Sequence, residues 1–154
     1  MKYSKLNTNI LWCLVMLGIS LLIGMAIPRR LTITKTHSVK YHLFWEIHGK
    51  TPQKGDYVRL PLYEQKIGCA PCSIVKRVGC LPGDRLVSEG IKYYCNGEYL
   101  GQCKTGKNIA PFQFSGTVPP GMVFLVGDRD NSYDSRYFGF KQIADIETVL
   151  LPLF

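Results

Sequence analysis

Beyond residue 27 the chain has no stretch with sustained helical periodicity, no internal repeat and no low-complexity segment. The first absence argues against a helical domain, which needs apolar residues recurring at three- and four-residue spacing. Cys69-Ala-Pro-Cys72 also lacks the strand–helix–strand context in which it would read as a thioredoxin-type redox pair. No cysteine–histidine pair has ligand-like spacing, so no metal and no cofactor is expected. Acidic residues are scarce, 11 against 19 lysines and arginines, giving a formal net charge of +8. The basic residues are scattered rather than gathered into a stripe, which speaks against a nucleic-acid partner. A basic domain beside an anionic membrane surface, with membrane lipid as partner, accounts for the charge.

What the chain does have is one long uncharged run, "ILWCLVMLGISLLIGMAI" at residues 10–27. A helix of about 17–25 apolar residues spans a bilayer. A cleaved signal peptide would carry an apolar core of about 7–15 residues and a small-x-small cleavage site, whereas this run is longer and ends in Met25-Ala26-Ile27-Pro28. It is read as an uncleaved single-pass anchor, with residues 1–9 cytoplasmic and residues 28–154 forming one domain. Charge leaves the orientation open, because Lys2 and Lys5 oppose Arg29, Arg30 and Lys35 under the positive-inside rule. Five of the six cysteines (Cys69, Cys72, Cys80, Cys95 and Cys103) follow the anchor, a density that fits an oxidising compartment and places the domain outside the cytoplasm. Cys95 and Cys103 flank the hairpin-like "NGEYLGQ" and are expected to pair; Cys69 and Cys72 are candidates for a second disulfide.

After the anchor the chain reads as all-β. "RLTITKTHSV", "GDYVRLPLY", "IVKRVGCL", "DRLVSEG", "IKYYCNGEYLG" and "GMVFLVGD" are short strands separated by Pro82-Gly83-Asp84, Asn96-Gly97, Pro119-Pro120-Gly121 and Gly127-Asp128. Asn96-Gly97 between alternating residues is a strong hairpin signal. "LFW" at residues 43–45 either meets a bilayer interface, where aromatic rings are favoured, or fills the core.

Within "CSIVKRVGCLPGD", side-chain alternation sends Lys76 and Arg77 to opposite faces. With Arg77 in water, Lys76 points inward beside Ile74 and Val78. Desolvation lowers the pKa of a buried amine, and a neutral amine serves as the general base in Ser-Lys variants of the serine–histidine–acid arrangement. Ser38, just past the anchor, and the polar run "GDRDNSYDSRYFG" (127–139) are the other chemical candidates. His37 beside Ser38 would face the opposite way on an extended chain and so would not pair with it. His42 and His48 read as surface residues.

The order of these pieces resembles the type I signal peptidase superfamily, in particular the TraF-like conjugative transfer peptidases. The resemblance runs over residues 10–139: a membrane segment, Ser38, "GDYVRL" (55–60), "KRVGCLPGD" (76–84) and "GDRDNSYDSRYFG" (127–139). It implies a signal-peptidase-like domain of short, mainly antiparallel strands behind one transmembrane helix. Ser38 would be the nucleophile, Lys76 the general base, and Ser132 the hydroxyl that orients the amine. Thr36 would join the oxyanion hole, while Asp134 and Arg136 would form an ion pair bracing the loop. Asp134 as a catalytic third member is disfavoured chemically, since a carboxylate contact would raise the pKa of the base.

The implied activity is cleavage of a signal peptide or propilin, in conjugative pilus biogenesis, at the periplasmic face of a bacterial inner membrane. Hydrolysis and pilin cyclisation both fit. Alternatives are a general signal peptidase, an assembly factor that has lost catalysis, and a thiol–disulfide protein using Cys69 and Cys72. The segment after Ser38 departs from the family pattern, with Lys40 and Tyr41 where proline is expected. The substrate would be an exported preprotein or propilin bound as an added strand, with small residues before the cleaved bond.

Overall fold

The computed structural model describes residues 8–26, 30–64, 68–104 and 109–154. Lys2, Lys5, the Pro28-Arg29 exit and the side chain of Cys69 lie outside it. The chain divides into two units, Met1–Leu31 and Thr32–Phe154. The first contains α1 (Thr8–Ala26), whose window Thr8–Met25 is long and apolar enough to cross a membrane.

The second unit is built from two antiparallel sheets. In chain order its strands are β1 (Leu31–Ile33, which starts at the unit boundary), β2 (Leu43–Ile47), β3 (Tyr57–Glu64), β4 (Cys69–Cys80), β5 (Arg85–Glu89), β6 (Lys92–Cys95), β7 (Glu98–Gln102), β8 (Ser115–Thr117), β9 (Met122–Val126), β10 (Lys141–Gln142) and β11 (Thr148–Pro152). The larger sheet runs β1-β2-β11-β3-β4-β9-β10, and the smaller runs β7-β6-β5-β8. Among the described residues, the single α-helix past α1 is the four-residue α2 (Ser135–Phe138). The all-β, mainly antiparallel architecture agrees with the expectation from sequence.

β9 shows why a continuous apolar run can be a strand. Val123 and Leu125 enter one core with Val58, Leu60, Val78 and Val149, while Phe124 and Val126 enter another with Leu86, Tyr93 and Leu100. Both faces are buried, so "MVFLV" needs no polar alternation. In β2 Phe44 is fully buried and Trp45 turns outward opposite Leu151, so the two aromatic residues take different faces.

The expected Cys95–Cys103 pairing is not formed. Cys95 is bonded to Cys80, with 5.8 Å between the Cα atoms, and Cys103 is a free, buried thiol whose pKa burial pushes up. Register explains this. Cys95 lies opposite Glu98 beside the turn, whereas the Cys103 amide bonds to the Ile91 carbonyl at the other end of the hairpin. Four residues of strand, about 13 Å at ~3.3 Å each, separate the two positions, well beyond the ~7 Å Cα limit for a disulfide. The bond actually formed ties the end of β4 in the larger sheet to β6 in the smaller. Cys72 is also disulfide-bonded; it lies in β4, on a strand rather than at the start of a helix.

Glu46, buried on β2, accepts from the Thr32 hydroxyl at 2.6 Å and from the Arg59 guanidinium. Burial pushes its pKa up, but the bonds to Thr32 and Arg59 and the arginine charge outweigh that and leave it lowered. A carboxylate with a folded pKa below its unfolded value of about 4.3 contributes stability above that value and loses it as pH falls through the folded pKa. Glu46→Gln is therefore expected to flatten the acid limb of a melting-temperature profile below about pH 4. An unchanged acid limb would refute this.

Candidate active site

β4 places Lys76 and Arg77 on opposite faces, as alternation requires. Lys76 lies opposite Val58 of β3, flanked on its own face by Ile74 and Val78, and is 3% exposed. Arg77 takes the other face, where its Nε donates to Asp128 at 3.0 Å. Because β9 pairs with β4 through Arg77–Val126 and Val78–Leu125, the chain leaves β9 beside the lysine and enters the loop beginning at Gly127. That loop delivers Ser132, 3% exposed, whose hydroxyl accepts from Lys76 Nζ at 2.9 Å.

The loop is braced from within. Asp134 N-caps α2, and its carboxylate accepts from the Gly127 amide at 2.7 Å, from the Arg136 amide at 3.1 Å, and from Arg136 Nε and Nη2 at 2.9 and 2.6 Å. Such a two-pronged guanidinium–carboxylate contact is among the stronger hydrogen-bonded pairs. Arg136 is fully buried and also donates to the carbonyls of Gln102 and Arg129. The Ser135 hydroxyl accepts from the Leu125 amide. Asp134 is thus engaged with backbone and guanidinium groups, and the lysine amine with a hydroxyl.

Ser38 is not on a strand. β1 stops at Ile33, and residues 36–40 form a turn that is pinned by packing: Val39 is buried with Phe44, Tyr57, Val75 and Leu150, with Tyr41 against them. Tyr41, at a position where proline is expected, therefore serves as a core side chain. Ser38 is half-buried, and its carbonyl accepts from the Asp128 amide at 2.9 Å. The exposed Thr36 hydroxyl lies 3.4 Å from Ser38 Oγ. His37 packs edge-on against His42, with ring centroids 5.1 Å apart. His48 sits 3.5 Å from Glu46.

Gly127 is the point where these parts meet. A Cβ at this position would lie 2.2 Å from Ser132 Oγ and 2.7 Å from the Ser38 carbonyl. Only a hydrogen fits between the serine that holds the lysine and the turn that carries Ser38. Gly127→Ala is expected to cut activity at least ~10²-fold, the scale of a ~1 Å misplacement at a reacting centre. Its stability cost should be about 1–3 kcal/mol, typical of overpacking. Activity and melting temperature measured on the same sample check this, and a fully active Gly127→Ala would show that the close approach is dispensable.

Of the residues expected from sequence, Lys76 is bonded to Ser132 and Asp134 to Arg136, Thr36 lies 3.4 Å from Ser38, and Gly127 abuts Ser132 and the Ser38 carbonyl. The joint role of Asp128 and Tyr57, whose hydroxyl donates to Asp128 at 2.8 Å, is not read from the sequence. The signal available was the Gly-Asp opening of "GDRDNSYDSRYFG". Among the described residues, one group of three metal-ligand side chains converges, Cys80, Asp84 and Cys95, and the disulfide engages both of its sulfurs.

The family "Signal peptidase, peptidase S26" matches residues 6–151. A signal peptidase I of Bacillus caldolyticus is 37% identical over 87 residues, covering 47% of this chain and 48% of that protein. A conjugal transfer protein TraF of Agrobacterium fabrum (strain C58 / ATCC 33970) is 40% identical over 72 residues, covering 43% of this chain and 40% of that protein. The chain thus spans less than half the length of the curated relatives it matches. The crystal structure of a signal peptidase I from Enterococcus faecalis V583 is 30% identical, with a TM-score of 0.46 over 66% of this chain and 98% of that one. With residues 6–151, nearly the whole chain, under the family match, this chain belongs to the peptidase S26 signal peptidase family.

Proposed function

We propose that the chain is a membrane-anchored serine endopeptidase in which Ser38 is the nucleophile and Lys76 the general base. The observation that carries this reading is a buried lysine amine held by a serine hydroxyl at 2.9 Å, in a loop that abuts the Ser38 backbone. Burial disfavours the ammonium form, which suits an amine that must accept a proton.

In the first step the Ser38 hydroxyl proton passes to Lys76 Nζ while Ser38 Oγ bonds to the scissile carbonyl carbon. The developing oxyanion is met by the Ser38 amide and the Thr36 hydroxyl; one such donor contributes ~10²–10³ in rate. The protonated lysine then returns its proton to the departing amine, leaving an acyl-enzyme. Water completes hydrolysis, or an amine of the same substrate chain attacks the acyl carbon and closes a ring. Ser132 orients the lysine, and Asp134 with Arg136 holds the loop in place.

The substrate on this reading is an exported preprotein or propilin, consistent with the names signal peptidase I and conjugal transfer protein carried by its relatives. Helix α1 would be the single anchor, with the catalytic domain at the periplasmic face of a bacterial inner membrane. The Cys80–Cys95 disulfide favours that side over the cytoplasm. The test is precursor processing in cells expressing Ser38→Ala or Lys76→Met. Mature product from either variant at the normal rate would defeat the reading. Product mass separates the two acceptors, since a cyclic product has one water fewer than the linear one.

A further inference from the structure

The Asp128 carboxylate receives three donors from three parts of the chain. Lys40 N–H, in the Ser38 turn, donates at 2.8 Å; the Tyr57 hydroxyl, on β3, donates at 2.8 Å; and Arg77 Nε, on β4 next to Lys76, donates at 3.0 Å. The Asp128 amide in turn donates to the Ser38 carbonyl. One residue therefore grips the turn on both sides of Val39 and fastens it to the strand that carries the lysine.

We infer that Asp128 is a positioning residue for Ser38: it fixes the separation between the nucleophile turn and the lysine strand. This rests on the reading of Ser38 and Lys76 given above. The Lys40 position shows why such a grip is needed. A proline ring at this position would fix φ covalently but would have no N–H to donate. In this chain the constraint is instead a hydrogen bond from that N–H to Asp128. The Arg77 charge strengthens the acceptor side. The Tyr57 hydroxyl remains a donor at neutral pH, because burial and its bond to Asp128 push its pKa up.

The full chain in detergent micelles, acting on a fluorogenic peptide with alanines before the scissile bond, tests this. Asp128→Ala is expected to lower kcat about 10²–10³-fold, the scale of a misplaced reacting group, with KM within about threefold. Asp128→Asn keeps an acceptor and should lose less. Tyr57→Phe removes one of the three donors and should lower kcat modestly; combined with Asp128→Ala it should add nothing, because the two changes break the same contact. A wild-type kcat for Asp128→Ala, a loss confined to KM, or additivity in the double variant would each overturn the inference. If Asp128→Ala does not fold, the other two single variants decide: lowered kcat in folded protein supports the inference, and wild-type kcat in both rejects it. An active Ser38→Ala would remove the underlying reading and this inference with it. An inactive Ser38→Ala beside a fully active Asp128→Ala would remove this inference alone.

Discussion

Lys76→Met is expected to abolish peptide cleavage while leaving the domain folded and no less stable. Methionine matches the apolar stem of the lysine and removes only the amine. Members of a nucleophile–base pair act as a unit, and deleting one costs on the order of 10⁶ in kcat in serine proteases. Activity should thus fall to the small residue supplied by binding and oxyanion stabilisation alone. Stability should move the other way. An amine in an apolar strand is costly to desolvate, and Lys76 is 3% exposed with Val58 opposite it. The loss of one hydrogen bond to Ser132, about 0.5–1.5 kcal/mol, offsets that gain. A melting temperature at or above wild type, together with lost cleavage, is the expected pair of results. Lost cleavage with a collapsed melting transition would make Lys76 a structural residue instead. Ser38→Ala should match it in activity and change stability little, since the half-buried hydroxyl lies 3.4 Å from the exposed Thr36 hydroxyl.

Asp134→Ala has the opposite profile. Arg136 is fully buried, with Nε and Nη2 on the Asp134 carboxylate. Removing the buried partner of such a pair leaves Arg136 facing the more exposed Asp130 carboxylate, 3.5 Å from its Nη1, and costs about 3–5 kcal/mol. For a domain of this size that is a fall on the order of 10–20 °C in melting temperature. The same change frees the Gly127 amide, so Ser132 loses its support as well. Well below the transition, the folded fraction should retain more activity than Lys76→Met does, because the amine is still present. If Asp134→Ala melts like wild type but is as inactive as Lys76→Met, the aspartate acts in the chemistry and the bracing account fails.

The site was more legible in the sequence than the sheet around it. "KRVGCLPGD" and "GDRDNSYDSRYFG" carry their geometry locally: alternation aims the lysine, and Asp134 caps the very turn in which Arg136 and Ser135 sit. Strands β3, β4 and β9 were visible from turn residues and apolar runs. β2 was not, because its pattern is inverted. Phe44 and Glu46 share the buried side while Trp45 faces out, so a buried carboxylate held by Thr32 and Arg59 stands where an apolar residue is expected. β11 is flanked by β2 and β3, with Thr148, Val149 and Leu150 all buried, and so shows no alternation. The disulfide partner of Cys95 depends on hairpin register and on packing between sheets, neither of which cysteine spacing encodes. The turn carrying Ser38 was expected to be extended; it folds back because Val39 and Tyr41 find partners across the sheet.

The pairing of β4 with β9 also bears on how this architecture tolerates change in length. The chain leaves the larger sheet at Cys80, builds β5 to β8, and returns at Met122 to the strand position next to the one it left. The whole small sheet is a detour between two neighbours, cross-linked near its root by Cys80–Cys95. Residues added at the turn away from that cross-link, Gly90-Ile91 between β5 and β6, extend the detour without altering the β4–β9 register, which brings Lys76 beside the loop of Ser132. Size can therefore vary on one side of the molecule while the distance between the amine and its serine stays fixed.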